Sequence, residues 1–184
     1  MSPDEIKVQS FLAEHSLEAT SYSKLERRSG KKPDFRVLKG GAFAFFCEVK
    51  SIEADDVVGL RNDPIFNRLA DDIHTAVKQF DAVNPDRTYP NVLAFVNHDS
   101  ACGPPDLIGV TTGQFVSEGG RLHKIYTQYS DGRIKDEKKR IDLFIWLDDC
   151  KLRGLLWSQA HDNHHQALCR VMGVNPSDIR TICT

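Results

Sequence analysis

Two acids and a lysine could carry chemistry in this chain. Asp34 follows Pro33, and thirteen residues later come Glu48, Val49 and Lys50. Mg²⁺ prefers oxygen ligands and usually takes one or two carboxylates, completing its shell with water and substrate oxygens. Asp34 and Glu48 match that count. The Val49 carbonyl would add a third protein oxygen. A phosphodiester is anionic and repels hydroxide. A cation at such a site neutralises the phosphate, makes a bound water more acidic and aligns its attack. Lys50 would orient or deprotonate that water and steady the phosphate. The residue types therefore suit metal-assisted phosphodiester cleavage.

These residues need a scaffold, and the sequence supplies one. Pro33 to Leu38 (PDFRVL) reads as a short strand. Lys39-Gly40-Gly41 is a turn signal, because two glycines accept the positive φ of tight hairpins. Ala42 to Ile52 (AFAFFCEVKSI) reads as the longer partner strand. This pairing sets Asp34 within a residue or so of Glu48, at the end of the hairpin away from its turn. Side chains alternate along a strand, so Phe46, Glu48 and Lys50 share one face, and Phe45, Cys47 and Val49 the other. The run Phe43 to Cys47 reads as a strand covered on both faces. An ionisable Glu48 at the end of such a run is costly unless it is paired or binds a cation.

This pattern resembles the PD-(D/E)XK nuclease superfamily in its PD…ExK form, over roughly Glu14 to Ile52. The resemblance implies an α/β fold: a mixed central β-sheet flanked by helices, a restriction-endonuclease-like core. It implies that Asp34 and Glu48 bind Mg²⁺ or Mn²⁺ and that Lys50 is catalytic. Many members add a glutamate from the first helix, and Glu14 is the candidate here. The substrate expected from the resemblance is DNA.

At 184 residues, one domain spanning 1–184 with a real core is expected. No apolar stretch approaches the length of a membrane span, and the polar N-terminus argues against a signal peptide. The five cysteines form no CxxC pair and read as reduced thiols of a cytoplasmic protein. A net charge of −2 does not advertise nucleic-acid binding. Its distribution says more. Lys24, Arg27, Arg28, Lys31 and Lys32 cluster just before Asp34, where they would attract phosphate to the rim of an acidic site. A second cluster, Lys135, Lys138, Lys139 and Arg140, fits solvated loop equally well.

Around the hairpin, Ile6 to His15 reads as a short helix and Ser16 to Lys32 as loop, with room for a strand that joins the sheet. Glu53 to Pro64 is acidic and irregular. Phe66 to Val83 carries the strongest helical periodicity, and Pro85 stops it. The resemblance implies a polar residue near its end that faces the site, and does not choose between Lys78 and Gln79. Asn91 to Asn97 is an apolar strand. Leu107, Ile108 and Phe115 suggest a helix, Arg121 to Arg133 a hairpin arm ending at Asp131-Gly132, Ile141 to Leu147 the last strand and His164 to Met172 a final helix. Asp148, Asp149 and Cys150 read as the start of a loop. Strand–helix–strand after the hairpin implies a crossover to a parallel neighbour. His161, His164 and His165 lack an acid or cysteine at matching spacing and read as a helix start rather than a metal site. Tyr126 and Tyr129 read as hairpin packing, with base stacking as the other option. Walker A, GxSxG and GxGxxG motifs are missing, which leaves nucleotide hydrolysis, serine hydrolysis and dinucleotide binding unsupported.

Two further readings stay open. One is a catalytically inactive module of the same fold that binds nucleic acid or a protein partner. The other is a small interaction subunit of a larger defence or repair assembly. A homodimer would suit the cutting of two strands.

Overall fold

Gly40 and Gly41 lie at φ +56° and +80°, so the turn forms where the sequence places it. A computed structural model describes residues 1–54, 64–117, 121–126, 131–158 and 162–175. The turn joins β2 (Phe35–Lys39) to β3 (Ala42–Ile52). Phe35 pairs with Cys47, and a bulge between Val37 and Leu38 absorbs one residue near the turn. Beyond that bulge the register carries Asp34 opposite Glu48.

The architecture is α/β. Six strands form one mixed sheet in the order β1 (Glu18–Ser21), β2, β3, β4 (Asn91–Asn97), β7 (Leu143–Asp148), β8 (Lys151–Trp157). β3, β4 and β7 run parallel; the other neighbours are antiparallel. β4 is buried at every position, as a central strand covered on both faces must be. Helices α1 (Pro3–Glu14) and α5 (Asp162–Met172) cover one face with Val8, Phe11, Leu12, Leu168 and Met172. Helices α3 (Pro64–Asp81) and α4 (Pro104–Thr112) cover the other with Leu69, Ile73, Phe80, Leu107 and Val110. Phe46, Leu93 and Phe95 face the α3 layer, whereas Phe45, Cys47 and Ala94 face α1, so the expected alternation holds along β3 and β4. Among the described residues no helix is long and apolar enough to cross a membrane.

Four readings of the sequence need correction. Within Ser16 to Lys32 the strand that joins the sheet is present as β1, but the rest is not all loop: it holds a short helix, α2 (Lys24–Arg28), whose Ser23 and Glu26 form a capping box. Gly113, at φ +69°, ends α4 at Thr112, so Phe115 belongs to strand β5 (Gln114–Val116) and not to the helix. β5 pairs with β6 (Leu122–Lys124), which makes the arm a hairpin with the preceding segment, and Asp131–Arg133 is a 3-10 turn. Lys151–Trp157 is a further edge strand, and Asp149, at φ +54°, turns the chain into it. Residues 55–63 of the acidic segment, His161, Tyr129 and Cys183 lie outside the described residues. The four described cysteines are free.

A buried polar knot ties α5 to the amino ends of β4 and β7. Asp142, 2 % exposed, accepts hydrogen bonds from Arg87 Nη2 (2.6 Å) and the Asn91 N–H (2.8 Å), and meets His164 Nδ1 at 3.1 Å. His164 is thus engaged with Asp142, and His165 packs edge-on against Trp157 at 5.0 Å. Removing one partner of a buried pair strands the other charge. Arg87→Ala should therefore lower the unfolding free energy by about 3 kcal/mol in urea titration. A loss below about 1 kcal/mol would mean that His164 and the Asn91 amide compensate Asp142 alone.

Candidate functional site

β3 does the positioning. Glu48 and Lys50 stand two residues apart, so both point from the sheet toward α3. β2 ends its pairing at Phe35, and the chain before it leaves the ladder at Asp34. The two acids are then locked together through the backbone. The Asp34 N–H donates to Glu48 Oε2 at 3.1 Å, and the Val49 N–H donates to Asp34 Oδ2 at 2.9 Å. Lys50 Nζ lies 2.9 Å from Glu48 Oε1. A residue's N–H and C=O leave a strand on the same side, so the Val49 carbonyl also points to the side where β2 has ended.

Glu48 is 2 % exposed. Burial is the main force pushing its pKa up to about 8; the neighbouring Asp34 charge adds to this, and Lys50 works against it. Two carboxylates meeting in a dry corner, with only one ammonium beside them, hold more negative charge than their surroundings balance. Two carboxylate groups and a carbonyl are hard oxygen donors, so the corner fits a small divalent cation chemically. Among the described residues no group of three or more His, Cys, Asp and Glu side chains assembles. The protein's share of a metal shell would therefore be Asp34, Glu48 and Val49.

Glu14 is not brought to this point. α1 lies on the opposite face of the sheet, over the Cys47 side. Its start is tied to the carboxyl end of β4 by Asp4 and His98, 3.0 Å apart. Its end is tied to the turn side of β2, where Lys39 Nζ donates to the His15 carbonyl at 2.7 Å. Glu14 is exposed beside the hairpin turn, at the far end from Asp34 and Glu48.

The residues sequence reasoning missed or left open come from α3. Asp72 is half-buried, and burial raises its pKa to about 6, opposed by the charges of Lys50 and Arg68. Lys50 thus sits in the field of an acid on each side: Glu48 on its own strand and Asp72 on the helix above. Gln79 lies two helical turns beyond Asp72 on the same face. Its Nε2 donates to the Lys32 carbonyl at 3.1 Å, fixing the backbone just ahead of Asp34, while its Oε1 is buried without a hydrogen-bond partner. Lys78 is exposed. Asp72 had a faint signal, as an acid one position from the buried ridge of Leu69 and Ile73.

The basic cluster leads into the site. Lys24, Arg27, Arg28 and Lys31 are exposed on α2 and the segment after it, and Lys32 is half-buried 5.8 Å from the Tyr22 ring. In the second cluster three residues are engaged with the scaffold, Lys138 Nζ donating to the Thr111 carbonyl, Lys139 pairing with Asp136 and Arg140 with Asp81, while Lys135 is exposed.

No protein-family model matches the chain, and neither does any curated protein or any solved structure.

Proposed function

We propose that this chain is a metal-dependent nuclease of the PD-(D/E)XK kind that hydrolyses phosphodiester bonds in DNA. The observation that carries the reading is the meeting of Asp34, buried Glu48 and Lys50 at the open end of one hairpin. Asp34, Glu48 and the Val49 carbonyl would hold Mg²⁺ or Mn²⁺. Bound there, the ion supplies charge neutralisation for the phosphate and a more acidic water. Lys50 orients or deprotonates that water and holds positive charge where the transition state gathers negative charge. Gln79 keeps the Asp34 approach in place through the Lys32 carbonyl. Lys24, Arg27, Arg28, Lys31 and Lys32 draw the nucleic-acid backbone to the rim.

The test is cleavage of labelled DNA and RNA, single- and double-stranded, with Mg²⁺, Mn²⁺ or EDTA. DNA cut only with the metals is the expected result. Calorimetry should also record Mn²⁺ uptake that disappears in Asp34→Ala. One observation favours a second reading, an inactive binding module: each carboxylate already has protein partners, Asp34 the Val49 N–H and Glu48 the Asp34 N–H and Lys50. Nucleic-acid binding with no cleavage and no Mn²⁺ uptake would select it.

A further inference from the structure

β5 and β6 form a two-stranded arm separate from the main sheet. Most small ribbons bury one face, but this one keeps large side chains in water. Leu122 is 68 % exposed and Tyr126 81 %. Phe115, 44 % exposed, lies directly opposite His123, and their rings stack with centroids 5.1 Å apart and planes 20° from parallel. Arg121, His123 and Lys124 are exposed, against a single acid, Glu118, between Gly113 and Tyr126. Flat rings beside an excess of cations are the composition of a surface for bases and phosphates.

The arm is rooted, and its root reaches toward the site. The Ile125 N–H donates to the Gly113 carbonyl at 2.8 Å. The Ile125 side chain and Phe66 of α3 both lie against Gly109 of α4. A Cβ at Gly109 would come within 2.8 Å of Phe66 and 3.1 Å of Ile125, so a side chain there would force both to shift. Phe66 lies six residues before Asp72, about 9 Å along the same helix. One helix thus carries both the footing of the arm and the acid that faces Lys50.

We propose that the β5–β6 arm grips an unpaired nucleic-acid strand, with Phe115 and His123 stacking on bases beside Arg121 on one face of the ribbon, and Lys124 and Tyr126 reaching the strand from its other side. The assignment rests on the nuclease reading and names the form of substrate: a strand with splayed bases rather than a closed duplex. Stacking needs bases out of the helix, and every base has a face to offer, so the grip is sequence-tolerant.

The experiment is fluorescence anisotropy in EDTA with a labelled DNA of about 20 nucleotides, single-stranded and as its duplex. Wild type should prefer the single strand. Phe115→Ser/His123→Ser should weaken single-strand binding by about 10- to 100-fold and duplex binding little, without changing the salt slope. Arg121→Ser/Lys124→Ser should make the log–log salt slope shallower by about 1.4. Circular dichroism melting of each variant should match wild type, since all four side chains stand at the surface. Unchanged single-strand affinity in the ring variant overturns the proposal, as does a loss confined to the charge variant. Wild type that cuts DNA while both variants bind normally overturns the arm assignment alone. Wild type that neither cuts nor binds any nucleic acid overturns the nuclease reading with it.

Discussion

Lys50→Ala should cost about 10²- to 10⁴-fold in metal-dependent cleavage while leaving DNA affinity nearly unchanged. The ammonium is 2.9 Å from Glu48, near the end of a strand that is still paired with β4 through Lys50 and Phe95, so its position is fixed before any substrate arrives. Phosphate attraction comes from a different segment, residues 24–32, which separates the two readouts. The companion variant is Lys50→Arg. Arginine keeps the charge but cannot give up a proton in a protein. Strong recovery in Lys50→Arg would make Lys50 an electrostatic group; no recovery would make it the residue that takes the proton from water. A purely structural lysine predicts something else: cleavage within a few-fold of wild type, and a melting temperature that falls because Glu48 has lost its partner. That pattern would end the catalytic assignment.

How much of this was legible depended on whether the information was local. The hairpin was legible because two glycines, a run of apolar residues and strict alternation all lie within twenty residues. They fix the register that opposes Asp34 to Glu48, and the bulge at Val37/Leu38 adjusts it without moving the site end. Glu14 shows the limit. Its place depends on which face of the sheet α1 covers, and that is decided by packing partners such as Leu168 and Met172, far along the chain. Asp72 was hidden for the same reason: periodicity marks it as a helix position but not as one that looks at Lys50. β8 was missed because Lys151 and Arg153 break its apolar pattern at the sheet edge, where one side of the strand meets water. The arm was half legible. Its composition was visible, but its partner strand follows a helix that ends on Gly113 alone, and a single glycine does not say whether helix or strand comes next.

Glu48→Gln should make the metal-free protein more stable above neutral pH, the reverse of what removing a structural ion pair does. Glu48 has a folded pKa of about 8 and an ordinary carboxylate value near 4.5 when unfolded. Between those values the folded state holds a proton that the unfolded state has released, so wild-type stability falls as pH rises through the window. Below about pH 4.5 the carboxyl is neutral in both states and the penalty vanishes. Above about pH 8 it is fully present, on the order of 5 kcal/mol. Glutamine carries no such penalty and can still accept the Asp34 N–H. In EDTA near pH 8.5 the variant should melt roughly 10 to 20 °C above wild type, and the gap should close toward about pH 5. Mn²⁺ should then raise the melting temperature of wild type and leave that of Glu48→Gln almost unmoved, because the cation repays the charge that burial penalises. A variant less stable than wild type at every pH would make Glu48 a structural partner of Lys50. A variant stabilised by Mn²⁺ as much as wild type would remove Glu48 from the metal shell. Only a carboxylate kept in place against its own stability, and relieved by a cation, gives the pH-dependent gap and the metal response together.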